Sequence, residues 1–457
     1  MSRYPMAPAD AAWLRMDRPT NLMVVTSVMW FDEALDWAAL REIVRTGIVE
    51  RFPRFRQRVV EARGRPSWED VVEFDLEEHL HPVYLPEPAG RAELQEFISN
   101  LVSVPLNHAR PLWDLYLIES YGSGCAVVFR MHHAIADGIA LARLLMSLTD
   151  EPGEEPVAVS DPLDAGGSAQ RSLAGVATHQ VVEALVHPQR IASLLLHPDR
   201  ILDLARSTAG GLEALAQLTV MPADRQTALR GTPGVRKRVT WSPSLPLDGI
   251  RETAHRSGVT INDVLLAATA GALRAQLVRR RCPVHDIRAI VPFNLRPIDE
   301  PLPAELGNKF GLVYVALPLA TADRQDRLHE MARRTRRIKE SAQGVVAFGV
   351  LELVGLGPAA LEDIAIDVFA SKATGVITNV PGPRNPVTLA GSRLAGTIGW
   401  GPTSGDLGLD VAMFSYAGEI TIGLCADVGL VPDVDQLLDD LLLELDALGA
   451  TSEPHEQ

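Results

Sequence analysis

The chain alternates short apolar, β-branched runs with segments whose apolar residues recur three and four apart, the two periods that separate strands from helices. Residues 23 to 31 (Met-Val-Val-Thr-Ser-Val-Met-Trp-Phe) read as a strand, and Trp37 to Glu50 as a helix. Short strands are predicted near Phe55 to Val60 and Pro66 to Val71, and a helix near Arg91 to Val102. Pro111 to Glu119 alternates as a strand, Tyr121 to Gly124 makes a turn, and Cys125 to Met131 is apolar enough to be a buried strand. Ile139 to Leu148 then resumes helical spacing. A hairpin followed by a helix therefore closes the first half.

Glu151 to Ser172, rich in Pro, Gly, Asp, Glu and Ser, is the clearest linker. Beyond it, His187-Pro-Gln-Arg-Ile191 and His197-Pro-Asp-Arg-Ile201 are near-copies, each placing Pro where the first turn of a helix tolerates a missing N–H. They predict short broken helices over residues 173 to 220, read first as a helical bridge and second as a lipid-contacting surface. A second α/β half starts near Arg236. Its strands are Lys237 to Trp241, Ile287 to Phe293, Phe310 to Leu317, Gly375 to Asn379, Arg393 to Trp400, Leu409 to Tyr416 and Glu419 to Ala426. Its helices are Asn262 to Arg281, a basic one through Arg333 to Lys339, and an acidic one from Asp433 to Leu448. The division is a first half at 1–150, a linker and helical crossover at 151–235 and a second half at 236–457, with a cleft between the halves.

Composition narrows this picture without changing it. A chain of 457 residues suffices for two cores. The net charge of −15 excludes the extended basic face that a nucleic-acid partner needs. Cys125, Cys282 and Cys425 are far apart and fit no zinc spacing, so a reduced setting and no metal site are expected. No signal peptide is visible at Met-Ser-Arg-Tyr-Pro-Met, and no run reaches the roughly 18 apolar residues of a spanning helix. A cytoplasmic protein, free or peripheral on a surface, is the expectation.

Chemistry concentrates at Met131-His132-His133-Ala-Ile-Ala-Asp137-Gly138, where the strand ends and the helix begins. A rigid strand end fixes an imidazole while the turn leaves one nitrogen open, which suits a general base. Adjacent strand residues point to opposite faces, so both rings are not expected on one substrate atom. Asp137 invites a triad reading, and Gly138 lets the backbone turn tightly into the helix and approach a substrate. The chain has no Gly-x-Ser-x-Gly elbow and no cysteine beside an evident base.

His132 to Gly138 resembles the HHxxxDG motif of the CoA-dependent acyltransferase superfamily. Pro111-Leu112-Trp113, Asn262-Asp263 and Asn379-Val380-Pro381-Gly382-Pro383 resemble the PLW, ND and NVPGP motifs of the bacterial wax ester synthase/diacylglycerol acyltransferase family. Ala7-Pro-Ala-Asp10 with Trp13-Leu14 resembles that family's start, with its usual Ser and Phe replaced. The resemblance runs from about residue 6 to residue 448 and is least diagnostic over 151–235. It implies a two-lobed, chloramphenicol-acetyltransferase-like α/β fold with a tunnel between the lobes. It also implies transfer of a long-chain acyl group from acyl-CoA, a co-substrate and not a bound cofactor, to diacylglycerol, a long-chain alcohol being the alternative acceptor. By the same resemblance His133 removes the hydroxyl proton and the alkoxide attacks the thioester directly. His132 supports the loop, and Asp137 holds the turn by pairing with an arginine, for which Arg296 is the candidate.

Each remaining motif has a structural and a functional reading. Asn262 is either the N-cap of its helix or, with Asp263, part of the site wall that polarises the thioester carbonyl. Asn379 to Pro383 is a rigid turn ending a strand, with Gly382 free between Pro381 and Pro383, and by resemblance shapes the cleft. Pro111, Leu112 and Trp113 read as scaffold. Arg333 to Lys339 is a solvated face or a seat for the phosphates of CoA, and Arg279, Arg280 and Arg281 a charge cluster at a helix C-terminus. Apolar substrates imply association with a membrane or lipid-droplet surface, and the oligomeric state is open. The competing readings are a membrane glycerolipid acyltransferase with an H-x-x-x-x-D motif, a carrier-protein-dependent condensation enzyme, and an inactive acyl-binding homologue.

Overall fold

The computed structural model describes residues 3–62, 65–150, 221–294, 301–339 and 370–450. In chain order, α1 (Pro8–Met16) and β1 (Val24–Phe31) are followed by β2 (Leu80–Val83), β3 (Trp113–Tyr121), β4 (Gly124–His132) and α2 (Gly138–Met146). After the crossover come β5 (Lys237–Trp241), α3 (Ile261–Arg279), β6 (Ile287–Asn294), β7 (Phe310–Leu317) and α4 (Arg324–Lys339). The chain finishes with β8 (Gly375–Pro381), β9 (Thr388–Leu389), β10 (Ser392–Trp400), β11 (Leu409–Tyr416), β12 (Glu419–Asp427) and α5 (Val434–Ala447). The linker, the His-Pro repeats and Arg296 lie outside the described residues.

Two mixed sheets organise these elements. The first runs β9-β10-β1-β4-β3-β2, and the second β7-β6-β8-β11-β12-β5 with the short strand Leu245–Pro246 beside β12. β4 is buried along its whole length because antiparallel partners flank it on both sides, β1 with Val24 opposite His132 and β3 with Trp113 opposite Met131. In the second sheet β8 runs parallel to β11, setting Asn379 beside Met413. α3 is buried on nearly every face, which makes it the central helix of the second core.

The division into 1–150 and 236–457 is not a clean partition. β10, from the second half of the chain, pairs antiparallel with β1 and completes the first sheet, with Thr397 opposite Met29 and Trp400 opposite Thr26. It covers an apolar edge that would otherwise stand open. Trp241 joins the halves again, 6.3 Å from Trp30 and 5.8 Å from Trp400 between ring centroids.

Two predicted elements change at their ends. The helix begun at Trp37 is α-helical only to Val44 and continues as a π-turn over Arg45–Val49. Asn262 is not a cap, because Thr260 takes that position and forms a capping box with Asp263. No helix among the described residues is long and apolar enough to cross a membrane.

Candidate active site

Both motif histidines leave the sheet on a fixed backbone. The His132 N–H donates to the Leu112 carbonyl at 2.9 Å and the His133 N–H to the Met23 carbonyl at 2.7 Å, so the strands on either side hold the pair. The Pro111-Leu112-Trp113 segment supports this from within the core. Trp113 Nε1 donates to the Phe55 carbonyl at 3.0 Å, and its ring stacks on His79 at 4.5 Å.

The two imidazoles then diverge. His132 Nδ1 accepts from the Ala134 N–H at 3.0 Å, so its neutral tautomer carries the proton on Nε2, 3.6 Å from Asp17 Oδ2. His108 Nε2 lies 3.4 Å from the same oxygen. Burial alone raises the Asp17 carboxyl, but the His108 and His132 imidazoles outweigh it and hold the group below the usual carboxylate range. Burial lowers His132 despite Asp17, leaving a sealed, neutral ring that does not line the cavity described next.

His133 stacks on Trp13 with centroids 4.0 Å apart and packs against Phe310 at 5.6 Å. Its Nδ1 is sealed and has no hydrogen bond of ordinary geometry among the described residues, which leaves Nε2 as the nitrogen available to the cavity. Burial, then the neighbouring His132, push the imidazole down to about 3, although the Asn308 side chain and its own carbonyl favour the charged form. The resting ring is therefore neutral at pH 7, held well below the ordinary imidazole value of 6.5.

A clasp from the second half fixes the loop that carries these residues. Asn308 Nδ2 donates to the His133 carbonyl at 2.8 Å and to Asp10 Oδ1 at 2.7 Å. The Gly307 N–H donates to the Ile135 carbonyl at 3.0 Å, and the Lys309 N–H to Asp137 Oδ2 at 3.0 Å. Asp137 Oδ1 accepts from the Ala140 N–H at 2.7 Å, as the N-cap of α2. The Asp137 carboxylate thus joins cap and clasp, while Arg296, its expected partner, lies outside the described residues. Burial raises the Asp10 carboxyl to about 6 against its hydrogen bonds from Asn308.

The cavity has an empty volume of about 1210 Å³, counted to include its open end. Trp13, His133, the α2 side chains Leu141, Leu145 and Met146, and the β1 and β10 residues Val25, Ser27, Thr397 and Trp400 form one side. Ile290, Pro292, Leu312, Thr378 and Asn379 face them from the second sheet. Gly138 does not serve a tight turn, since its φ is not left-handed and a Cβ there would meet nothing within 4 Å. Its missing side chain instead keeps the cavity open beside His133. The N–H groups of Gly138 and Ile139 open α2 beside the cavity, with no intrahelical partner, and can stabilise developing negative charge.

Other predicted site residues fall elsewhere. Asn262 and Asp263 do not line the cavity; Asp263 accepts from Thr260 N at 2.9 Å and Thr260 Oγ1 at 2.8 Å, and takes the Thr335 hydroxyl on its other oxygen. Gly382 serves packing, because a Cβ would sit 2.5 Å from the Phe414 ring and from the Ser415 carbonyl that its own N–H meets. With Pro383 it borders a separate groove, while Asn379 alone of its motif's named polar and glycine positions reaches the cavity. Arg334 is paired with Glu330 and Asp286, Arg333 with Glu330, and Arg279 with Asp440. Arg280 donates to the Ala228 and Leu430 carbonyls, so these four arginines serve structural contacts. One support was not anticipated. Asp410, 0% exposed, accepts from the Gly401 N–H at 3.0 Å and so holds the cavity wall after Trp400, while burial raises its carboxyl to about 8.

Solved structures of the same overall shape place this arrangement in a class. The wax ester synthase/diacylglycerol acyltransferase from Marinobacter aquaeolei superposes with a TM-score of 0.67 at 22% identity, over 97% of this chain and 98% of that one. The first condensation domain of the calcium-dependent antibiotic synthetase superposes with a TM-score of 0.60 at 15% identity, over 98% and 96% of the two chains. The fold is therefore the two-lobed α/β architecture shared by these proteins, as the motifs implied. Residues 6–265 match the wax ester synthase/diacylglycerol acyltransferase catalytic domain and residues 306–449 the WS/DGAT C-terminal domain, so the chain belongs to that family and is an acyltransferase. A putative diacylglycerol O-acyltransferase of Mycobacterium bovis is 29% identical over 98% of this chain and 91% of its own length. Another, of Mycobacterium tuberculosis, is 28% identical over 93% and 86%.

Proposed function

We propose that the protein moves a long-chain acyl group from acyl-CoA to diacylglycerol, with His133 as general base and a long-chain alcohol as the competing acceptor. The observation that carries this reading is the His133 imidazole on the wall of a largely apolar cavity. His133 Nε2 takes the acceptor's hydroxyl proton as the oxygen attacks the thioester carbonyl. The tetrahedral oxyanion forms against the N–H groups of Gly138 and Ile139. It collapses with cleavage of the C–S bond, and the imidazolium returns its proton to the departing sulfur. No covalent enzyme intermediate forms.

A base held down to about 3 in the resting state has little affinity for a proton. Negative charge developing on the attacking oxygen supplies the missing term, since an opposite charge within a few ångströms favours the protonated ring, strongly so in a site without water. Diacylglycerol is preferred as acceptor because the curated relatives carry that name. Such acceptors reside in lipid, which supports action at a lipid surface; flotation with liposomes tests this, and protein left wholly at the bottom of the gradient counts against it. The deciding assay supplies labelled palmitoyl-CoA with diacylglycerol or hexadecanol and separates the products. Triacylglycerol as the main product supports the reading, wax ester as the main product replaces it with the alternative, and neither product removes both.

A further inference from the structure

One wall of the cavity carries a polar atom that the reaction above leaves unused. Ser27 follows Val25 by two residues on β1, so both point to one face, and both line the cavity with the apolar residues of α2. Ser27 is 8% exposed, and its Oγ is sealed without a hydrogen-bond partner among the described residues. Gly399 stands opposite it on β10, and a side chain there would crowd Ser27 Cβ at 3.2 Å. The pair therefore leaves an unpartnered hydroxyl beside the cavity, on a wall that also carries Thr397, with Thr378 and Asn379 facing it from the second sheet. Buried hydroxyls normally find partners, so this one points to a group brought by a ligand.

Candidate acceptors differ in what they offer it. A bare long-chain alcohol presents only methylenes beyond its own hydroxyl. An acylglycerol presents ester carbonyl oxygens, which are pure acceptors, a few bonds from the hydroxyl that reacts. We infer that Ser27 is a specificity-determining residue whose hydroxyl donates to an ester carbonyl of an acylglycerol acceptor and so favours that class over bare alcohols. This rests on the acyl-transfer reading for its place in the reaction, but its test does not depend on turnover.

The test compares binding of 1,2-dioctanoylglycerol with that of its diether analogue, which lacks both carbonyls, by calorimetry without acyl-CoA. The native protein is expected to prefer the ester by about fivefold, the scale of one neutral hydrogen bond. Ser27→Ala erases that preference by weakening the ester alone, and Ser27→Thr restores it. An unchanged preference in Ser27→Ala, an equal loss for both ligands, or no preference in the native protein overturns the assignment. Turnover adds a second arm: Ser27→Ala lowers kcat/KM for dioctanoylglycerol and spares hexadecanol, whereas an equal fall for both puts the hydroxyl on the acyl donor and overturns the inference. An intact ester preference in a protein that transfers no acyl group removes the catalytic reading and leaves the Ser27 assignment standing.

Discussion

Asp410 offers a perturbation whose size follows from its surroundings. Its carboxyl is fully buried on β11, keeps one hydrogen bond from the Gly401 N–H and has a second oxygen without a partner among the described residues. Burial raises it from 3.8 to about 8, so the native protein retains a proton that the unfolded chain releases above pH 4. The sign is fixed by that difference: the unfolded state binds fewer protons across the window, so stability falls as pH rises from about 4 to about 8 and levels off beyond. Each pH unit inside the window is worth roughly 1.4 kcal/mol. Asp410→Asn keeps the shape and removes the titration. The amide adds its own constant cost or gain in the buried site, but this does not vary with pH. Denaturant unfolding of both proteins at pH 5, 6 and 7 is expected to give a stability difference that moves in favour of the variant by ~1.4 kcal/mol per unit, about 3 kcal/mol in all. A difference constant with pH would refute the claim that Asp410 is a neutral acid in the folded protein.

Two further outcomes follow from the cavity and its clasp. Gly138→Leu fills the space beside His133 without disturbing a left-handed turn, so acyl transfer falls by about 100-fold while the circular dichroism spectrum and melting are retained; full activity would show that substrates do not pass there. Asn308→Ala removes the hydrogen bonds to the His133 carbonyl and Asp10, and kcat is expected to fall about tenfold with little change in KM, since the clasp positions the base without touching substrate; a rise in KM alone would contradict this.

Much of the architecture was legible because strand and helix periods differ so clearly in this chain. β7 and β11 coincide with their predicted spans, and β4 delivers the histidines as its apolar run suggested. α1 went unread because Pro-Ala-Asp-Ala-Ala offers small residues in place of an apolar stripe, and the helix Leu247–Ser257 because it is mostly polar. The pairing of β10 with β1 was invisible for another reason: local pattern fixes a strand and its faces, not its partner across more than 350 residues of chain. The same limit hid Asn308, Lys309 and Asp17, which act on the motif through space. Gly307-Asn308 just before β7 was the one local signal, a turn pair ahead of a strand. Burial, which lowers the His133 imidazole so far below its ordinary value, is likewise a property of the assembled halves.

The central claim is that His133 removes the acceptor's proton. It is tested most directly by the rate of acyl transfer from labelled palmitoyl-CoA to diacylglycerol in the native protein and in His133→Ala, each confirmed folded. Loss of a positioned general base predicts a fall of about 10²- to 10⁴-fold. A variant that transfers the acyl group within about tenfold of the native rate would contradict the account.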